Sequence, residues 1–82
     1  MSALRLTLYG RSYCHLCDEM LAALETLRSE FELAVEVIDI DGDPLLVERF
    51  DELVPVLMHG DKELCHYHLD TRKVRAYLDK IR

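Results

Sequence analysis

Leu4-Arg5-Leu6-Thr7-Leu8-Tyr9-Gly10-Arg11-Ser12-Tyr13-Cys14-His15-Leu16-Cys17-Asp18-Glu19-Met20 is the stretch whose reading decides the fold. From Leu4 to Tyr9 apolar and polar residues alternate at period two, and the pattern stops at Gly10, which predicts a strand. From His15 to Phe31 the apolar positions Met20, Leu21, Leu24, Leu27 and Phe31 recur at steps of three and four. That spacing predicts an amphipathic helix of about four turns. Asp18 and Glu19 suit its positive first turn and Arg28 its negative last one. Cys14 and Cys17 therefore stand where a strand hands over to a helix.

The pattern continues outward from this unit. Ala34-Val35-Glu36-Val37-Ile38-Asp39-Ile40 is rich in β-branched residues and predicts a second strand. Asp43-Pro44 is a helix start, an N-cap acceptor followed by proline at the first helical position. The short helix it opens is expected to turn Leu45, Leu46, Phe50 and Leu53 inward. Pro55 to His59 reads as a third strand, with Pro at its first residue, where the missing N–H costs least. Gly60-Asp61 makes a turn and Lys62 to His68 a fourth strand. Asp70 or Thr71 then caps a last helix, with Val74, Tyr77, Leu78 and Ile81 on one face. The order is β-α-β-α-β-β-α. Its βαβ unit makes the first two strands parallel, and the tight turn makes the last two antiparallel. The expected fold class is α/β, a four-stranded mixed sheet with helices on both faces.

Composition bounds the function. The chain has 82 residues, half of them apolar, and carries 10 Lys and Arg against 16 Asp and Glu for a net charge of −6. This is one domain, 1–82, without repeats or linkers. So acidic a chain argues against nucleic acid or an anionic membrane as partner. No apolar run approaches the roughly 20 residues of a membrane span. The opening from Met1 to Tyr9 has an Arg inside its apolar stretch and no small-residue cleavage site, so it does not read as a secretory leader. The expected location is cytoplasmic and the expected state a monomer. The 3 cysteines are an odd number and too few for a secreted disulfide scaffold. They point to reactive or metal-binding thiols.

A Cys-x-x-Cys at the start of a helix has a specific physical use. The helix N-terminus offers unpaired N–H groups and partial positive charge, which favour thiolate over thiol. Cys14 at the cap position is the expected nucleophile, with a lowered pKa. Cys17, one turn in, is the resolving thiol that releases a mixed disulfide. A protonated His15 favours the Cys14 thiolate and Arg11 is close enough in sequence to help. Asp18 and Glu19 oppose it. Zinc competes as a reading, because Cys14, His15, Cys17, Cys65, His66 and His68 are all ligand types. A zinc knuckle sits on a turn and needs a second ligand pair at regular spacing, whereas Cys65 to His68 fall on an expected strand whose alternate side chains point apart. Haem attachment fails because Asp18, not His, follows the second Cys.

These residues resemble the glutaredoxins of the thioredoxin superfamily over nearly the whole chain. Arg11-Ser-Tyr-Cys14-His-Leu-Cys17 carries a basic residue three before the first Cys, as glutaredoxins often do. Val54-Pro55 resembles the family's Thr-Val-Pro, and the element order lacks the extra N-terminal strand and helix of thioredoxins proper. The resemblance implies a thioredoxin-like fold and a cis Val54–Pro55 bond beside the Cys pair. It also implies that Val54 offers its backbone to an extended substrate, and Arg11, Tyr13, Pro55 and Asp70 are the other expected substrate-binding residues. Two features depart from the family. His15-Leu16 replaces the usual Pro-Tyr, and Tyr67-His68-Leu69-Asp70-Thr71 stands where the family has Gly-Gly and an acidic residue for glutathione. Asp70 still offers a capping carboxylate and a helix N-terminus. Disulfide reduction thus carries over better than glutathione specificity. Disulfide-bearing proteins or glutathione are the expected partners. No cofactor is expected, glutathione being a candidate electron donor.

Among the other residues, Cys65 reads as a small, mostly buried strand residue. His59 is expected to be solvated at a strand end, and His66 and His68 to share the polar face of a strand. Tyr13 and Leu16 flank the reactive thiol as an apolar lip, although Tyr13 reads equally well as a surface aromatic. Three functions stay open: a glutaredoxin-type dithiol oxidoreductase, a module holding zinc or an iron–sulfur cluster through Cys14, and a redox-inert adaptor.

Overall fold

In the computed structural model, which describes residues 4–81, the chain forms seven elements in the expected order. They are β1 (Leu4–Gly10), α1 (His15–Arg28), β2 (Leu33–Asp39), α2 (Pro44–Phe50), β3 (Val56–His59), β4 (Lys62–His66) and α3 (Thr71–Ile81). A 3-10 turn over Ile40–Gly42 joins β2 to α2. Residues 1–3 and 82 lie outside the described residues, and with them the ends of the expected 1–82 domain and part of the opening read for a leader.

The sheet order is β2-β1-β3-β4. β1 pairs in parallel with β2 from Leu4↔Leu33 to Gly10↔Asp39, and antiparallel with β3 from Thr7↔Met58 to Tyr9↔Val56. With a paired strand along each edge, β1 is central in the sheet, and core residues pack on both its faces. Leu6 and Leu8 point to one side and pack with Met20, Leu24 and Leu27 of α1 and Val74 and Leu78 of α3. On the other side Val56 and Met58 pack with Ile40 and Phe50, and Tyr9 lies against this second cluster. Tyr9 stacks on Phe50 with ring centroids 4.6 Å apart. Helices thus lie on both faces, α1 and α3 on one and the short α2 on the other. Each fully buried Leu contributes about 1.5–3 kcal/mol through burial, so the larger cluster carries most of the stability.

Several expectations need correction. α1 ends at Arg28, not Phe31, because the N–H groups of Glu30 and Phe31 both turn back to the Leu27 carbonyl, at 3.1 and 2.9 Å. Phe31 still reaches the core. β2 runs one residue earlier than expected, since Ile40 begins the 3-10 turn and is itself buried. Leu45 is exposed, not inward. The inward stripe of α2 is Leu46, Val47 and Phe50, spaced by three and four, and Leu45 lies about 100° round the helix from Leu46. β4 stops at His66, because Tyr67 adopts a left-handed φ of 65° and the chain leaves the sheet. His66 and His68 therefore do not share a strand face, and His66 Nδ1 instead meets Glu63 Oε2 at 2.9 Å. His59 is half-buried and shares a 2.6 Å hydrogen bond with the Tyr77 hydroxyl, so it is not simply solvated.

The register between β3 and β4 contains a bulge. Leu57 pairs with Cys65 but Met58 with Glu63, so Leu64 has no partner of its own. An extra residue of this kind breaks the alternation of faces. Leu64 and Cys65 accordingly enter the same core cluster although they are consecutive.

Candidate active site

Cys14 is the N-cap of α1, with the extended backbone that position requires. Its Sγ accepts the N–H of Cys17 at 3.1 Å, and its carbonyl accepts the N–H of Asp18 at 3.2 Å. The sulfur thus takes the place of the usual Ser or Asp oxygen at a helix start. Cys14 is half-buried while Cys17 is buried, and the two are joined as a disulfide. The less buried of two paired cysteines suits the nucleophile and the more buried one the resolving thiol.

The end of β1 makes room for this pair. A Cβ on Gly10 would stand 3.0 Å from Cys17 Sγ and 3.3 Å from Cys17 Cβ. Glycine therefore lets the strand pass directly against the buried sulfur. In the sequence Gly10 marks the end of a strand, although a glycine within a strand is itself a signal of close approach.

Between Gly10 and Cys14 the loop is pinned. Arg11 bonds Asp41 Oδ1 through Nε and Nη2, at 3.1 and 2.9 Å, and Asp51 Oδ1 through Nη1 at 2.7 Å. The two carboxylates raise its pKa further above the usual range, chiefly by these hydrogen bonds. Ser12 Oγ donates to Asp39 Oδ2 at 3.1 Å, while Asp39 Oδ1 accepts the N–H of Asp41 and so caps the 3-10 turn. Tyr13 follows with a left-handed φ of 61° and a fully exposed ring. For a non-glycine residue that backbone costs about 1–2 kcal/mol. Asp39, Asp41 and Asp51 were not legible as site residues, because they lie 27–40 positions from the residues they hold.

The other expected residues are placed as follows. The Val54–Pro55 bond is cis. Since Val56 pairs with Tyr9, this dipeptide lies at the end of β1 from which the Cys loop springs, and Val54 precedes the first paired residue of β3. The Pro55 carbonyl accepts the Tyr67 N–H at 2.9 Å, which draws the β4–α3 loop to the same end. Asp70 caps α3 by accepting the Lys73 N–H at 3.1 Å. His15 is exposed, its Nε2 3.9 Å from Glu19 Oε1. Leu16 is half-buried next to Cys17. A cleft of about 280 Å³ opens between α1 and the β4–α3 loop, walled by Glu19, Met20, Ala23, Tyr67, His68 and Leu69. Among the described residues, no group of three or more His, Cys, Asp and Glu is arranged to hold a metal ion. No helix among them is long and apolar enough to cross a membrane.

The glutaredoxin-like domain family model matches residues 5–79. The chain belongs to the glutaredoxin-like domain family. Protein Ne2328 from Nitrosomonas europaea is 45% identical over 95% of this chain and 94% of its own, with a TM-score of 0.84. The X. campestris protein XcR50 is 38% identical over 92% of this chain and 96% of its own, with a TM-score of 0.74. Thioredoxin 1 from Thermosipho africanus, at 19% identity over 94% of this chain and 97% of its own, superposes with a TM-score of 0.61 and shares the fold. No curated protein matches. This glutaredoxin-like domain is thus a thioredoxin-superfamily protein with a four-stranded mixed sheet. Its Cys-x-x-Cys pair at disulfide distance supports thiol oxidoreductase chemistry.

Cys65 of the glutaredoxin-like domain stands apart from that pair. It is buried under α3, and burial pushes its thiol pKa up from 9.0, outweighing a backbone N–H from Asp70 that lowers it. A thiol held protonated in the folded state stabilises fully below its unfolded pKa, and the contribution is lost as pH rises through the folded one. The stability difference between wild type and Cys65→Val is therefore expected to be flat below about pH 8. Above about pH 9 it should move in favour of the variant. Urea titrations across pH measure this, and a flat difference up to pH 10 would refute the assignment.

Proposed function

We propose that this glutaredoxin-like domain is a dithiol oxidoreductase that reduces disulfides of proteins, or mixed disulfides with glutathione, through Cys14 and Cys17. One observation carries the reading: the sulfur of the half-buried Cys14 sits at the cap of α1 and receives the Cys17 N–H at 3.1 Å. In the reduced protein that N–H and the positive end of the helix stabilise a Cys14 thiolate. The thiolate attacks one sulfur of the substrate disulfide. A Cys14–substrate disulfide forms, and the other sulfur leaves as a thiolate that takes a proton from water. Cys17 then loses its proton and attacks Cys14 Sγ, which forms the Cys14–Cys17 disulfide and releases the second substrate thiol. Two electrons pass from the dithiol to the substrate. Two equivalents of an external thiol return the pair to the reduced form, the first opening it as a mixed disulfide and the second releasing it, and they leave joined as their own disulfide; glutathione is the candidate donor carried by the resemblance.

Arg11 enters as a positioning residue, because its guanidinium holds the loop to Asp41 and Asp51. Tyr13 and the backbone of Val54, which precedes the first paired residue of β3, are the surfaces against which an extended substrate lies, with Asp70 at the cap of α3. On this reading the protein works in the cytoplasm as a monomer. The test is a single turnover. Protein reduced with dithiothreitol and freed of it should release one equivalent of thiol pair from a peptide disulfide while its own pair becomes resistant to alkylation. Unchanged Cys14 and Cys17 thiols after mixing would exclude the reading.

A further inference from the structure

The Cys pair is set in an acidic surround. Asp39, Asp41 and Asp51 are bonded to the loop before Cys14, and Asp18 and Glu19 occupy the first turns after it. Against these five carboxylates the loop carries one guanidinium, Arg11, and both its faces are taken by Asp41 and Asp51. Asp51 lies at the C-terminal end of α2, where a carboxylate opposes the helix dipole and is normally disfavoured. Its place there is made tolerable by Arg11, and the same contact removes from the site the cation that an anionic substrate needs. The neighbouring cleft points the same way. Glu19, Met20, His68 and Leu69 are among the residues that line it, and its volume of about 280 Å³ is enough for side chains of a bound polypeptide.

Resting on the oxidoreductase reading above, we infer that Asp41 and Asp51 are specificity-determining residues. By holding Arg11 they make the Cys14–Cys17 pair select disulfides in polypeptides with basic flanks, in preference to the anionic glutathione disulfide. The chemistry is the two-step exchange already given, with its two electrons supplied by the Cys14–Cys17 dithiol and restored by the external thiol. Charges in such a rim act within about 8 Å at physiological salt and further at low salt, and complementary fields raise association rates tenfold or more.

The test uses the full chain, reduced with dithiothreitol and freed of it. Its probes are two peptides of equal length, each with one cysteine blocked by neutral mercaptoethanol, one flanked by Lys and one by Glu, together with oxidised glutathione. Each rate is divided by the rate of the same probe with free dithiothreitol, which cancels intrinsic reactivity. At low ionic strength the basic peptide is expected to react about tenfold faster than the acidic one, with glutathione disulfide among the slow probes, and the ratio should fall towards one in strong salt. In the Asp41→Asn, Asp51→Asn double variant, which leaves the Arg11 charge unpaired although the backbone carbonyl at position 51 still accepts from its Nη1 at 3.2 Å, the ratio should fall severalfold and the glutathione disulfide rate should rise. A purely structural role for the two carboxylates would lower all rates together and leave the ratio alone, which would overturn the inference. Equal normalised rates at every salt concentration in the wild type would overturn it even if the double variant does not fold. Exchange with none of the probes would remove the oxidoreductase reading itself.

Discussion

Replacing Cys14 with Ser is expected to abolish disulfide exchange, whereas replacing Cys17 with Ser should leave the first half of the reaction intact. The asymmetry follows from burial and bonding. Cys14 is half-buried and its Sγ receives a helix N–H, whereas Cys17 is only 8% exposed. A serine hydroxyl at the cap keeps the helix start, since Ser is itself a preferred N-cap, so Cys14→Ser removes the nucleophile without unfolding the site. The exchange rate should drop by about a thousandfold or more, as expected when a covalent nucleophile is lost. With Cys17→Ser the Cys14 thiolate still attacks, but nothing resolves the product. A stable Cys14–substrate disulfide should accumulate to near one equivalent. Intact-mass spectrometry of each variant after mixing with a peptide disulfide measures both effects. Equal trapping by the two variants would mean that the roles of the sulfurs are wrongly divided.

The second large effect is expected at Gly10. A Cβ there meets Cys17 Sγ at 3.0 Å, and in the disulfide that sulfur is fixed at both ends. Overpacking of this kind costs about 1–3 kcal/mol. Gly10→Ala should fall at the lower end of that range and Gly10→Val, with two further methyl groups, near the upper. Once the disulfide is reduced, Cys17 is free to change rotamer and part of the strain is relieved. The oxidised protein should therefore lose more stability than the reduced one, and the pair should become more oxidising by tens of millivolts, since about 30 mV corresponds to 1.4 kcal/mol for two electrons. Urea melts of both redox forms provide the check. Equal destabilisation of both would show that Gly10 serves only the packing of β1.

The strands and helices were legible because their apolar spacing is local: alternation over Leu4 to Tyr9, steps of three and four from Met20 to Leu27, and the Asp43-Pro44 start of α2. The Cys pair was legible for the same reason, since its chemistry depends on three consecutive peptide units and the helix they open. What escaped depends on contacts between distant segments. The bulge that buries Leu64 beside Cys65 is set by pairing with β3, and the His59–Tyr77 hydrogen bond spans 18 positions. The partners of Arg11 belong here too. In the sequence Arg11 reads as a cation near a thiol and a substrate-binding residue, but the fold brings Asp41 and Asp51 to it and makes it an anchor of the loop. The cis Val54–Pro55 bond followed from the resemblance to glutaredoxins and from nothing in the residues themselves.

The most direct measurement is a redox titration of the purified, metal-free protein, equilibrated across glutathione ratios, alkylated, and read by mass spectrometry on the peptide that holds Cys14 and Cys17. A reversible two-electron transition between about −270 and −180 mV, the span from thioredoxin to disulfide isomerase, is the expected result. Two free thiols across the whole range would contradict it and leave metal binding or an inert adaptor as the role of this Cys pair.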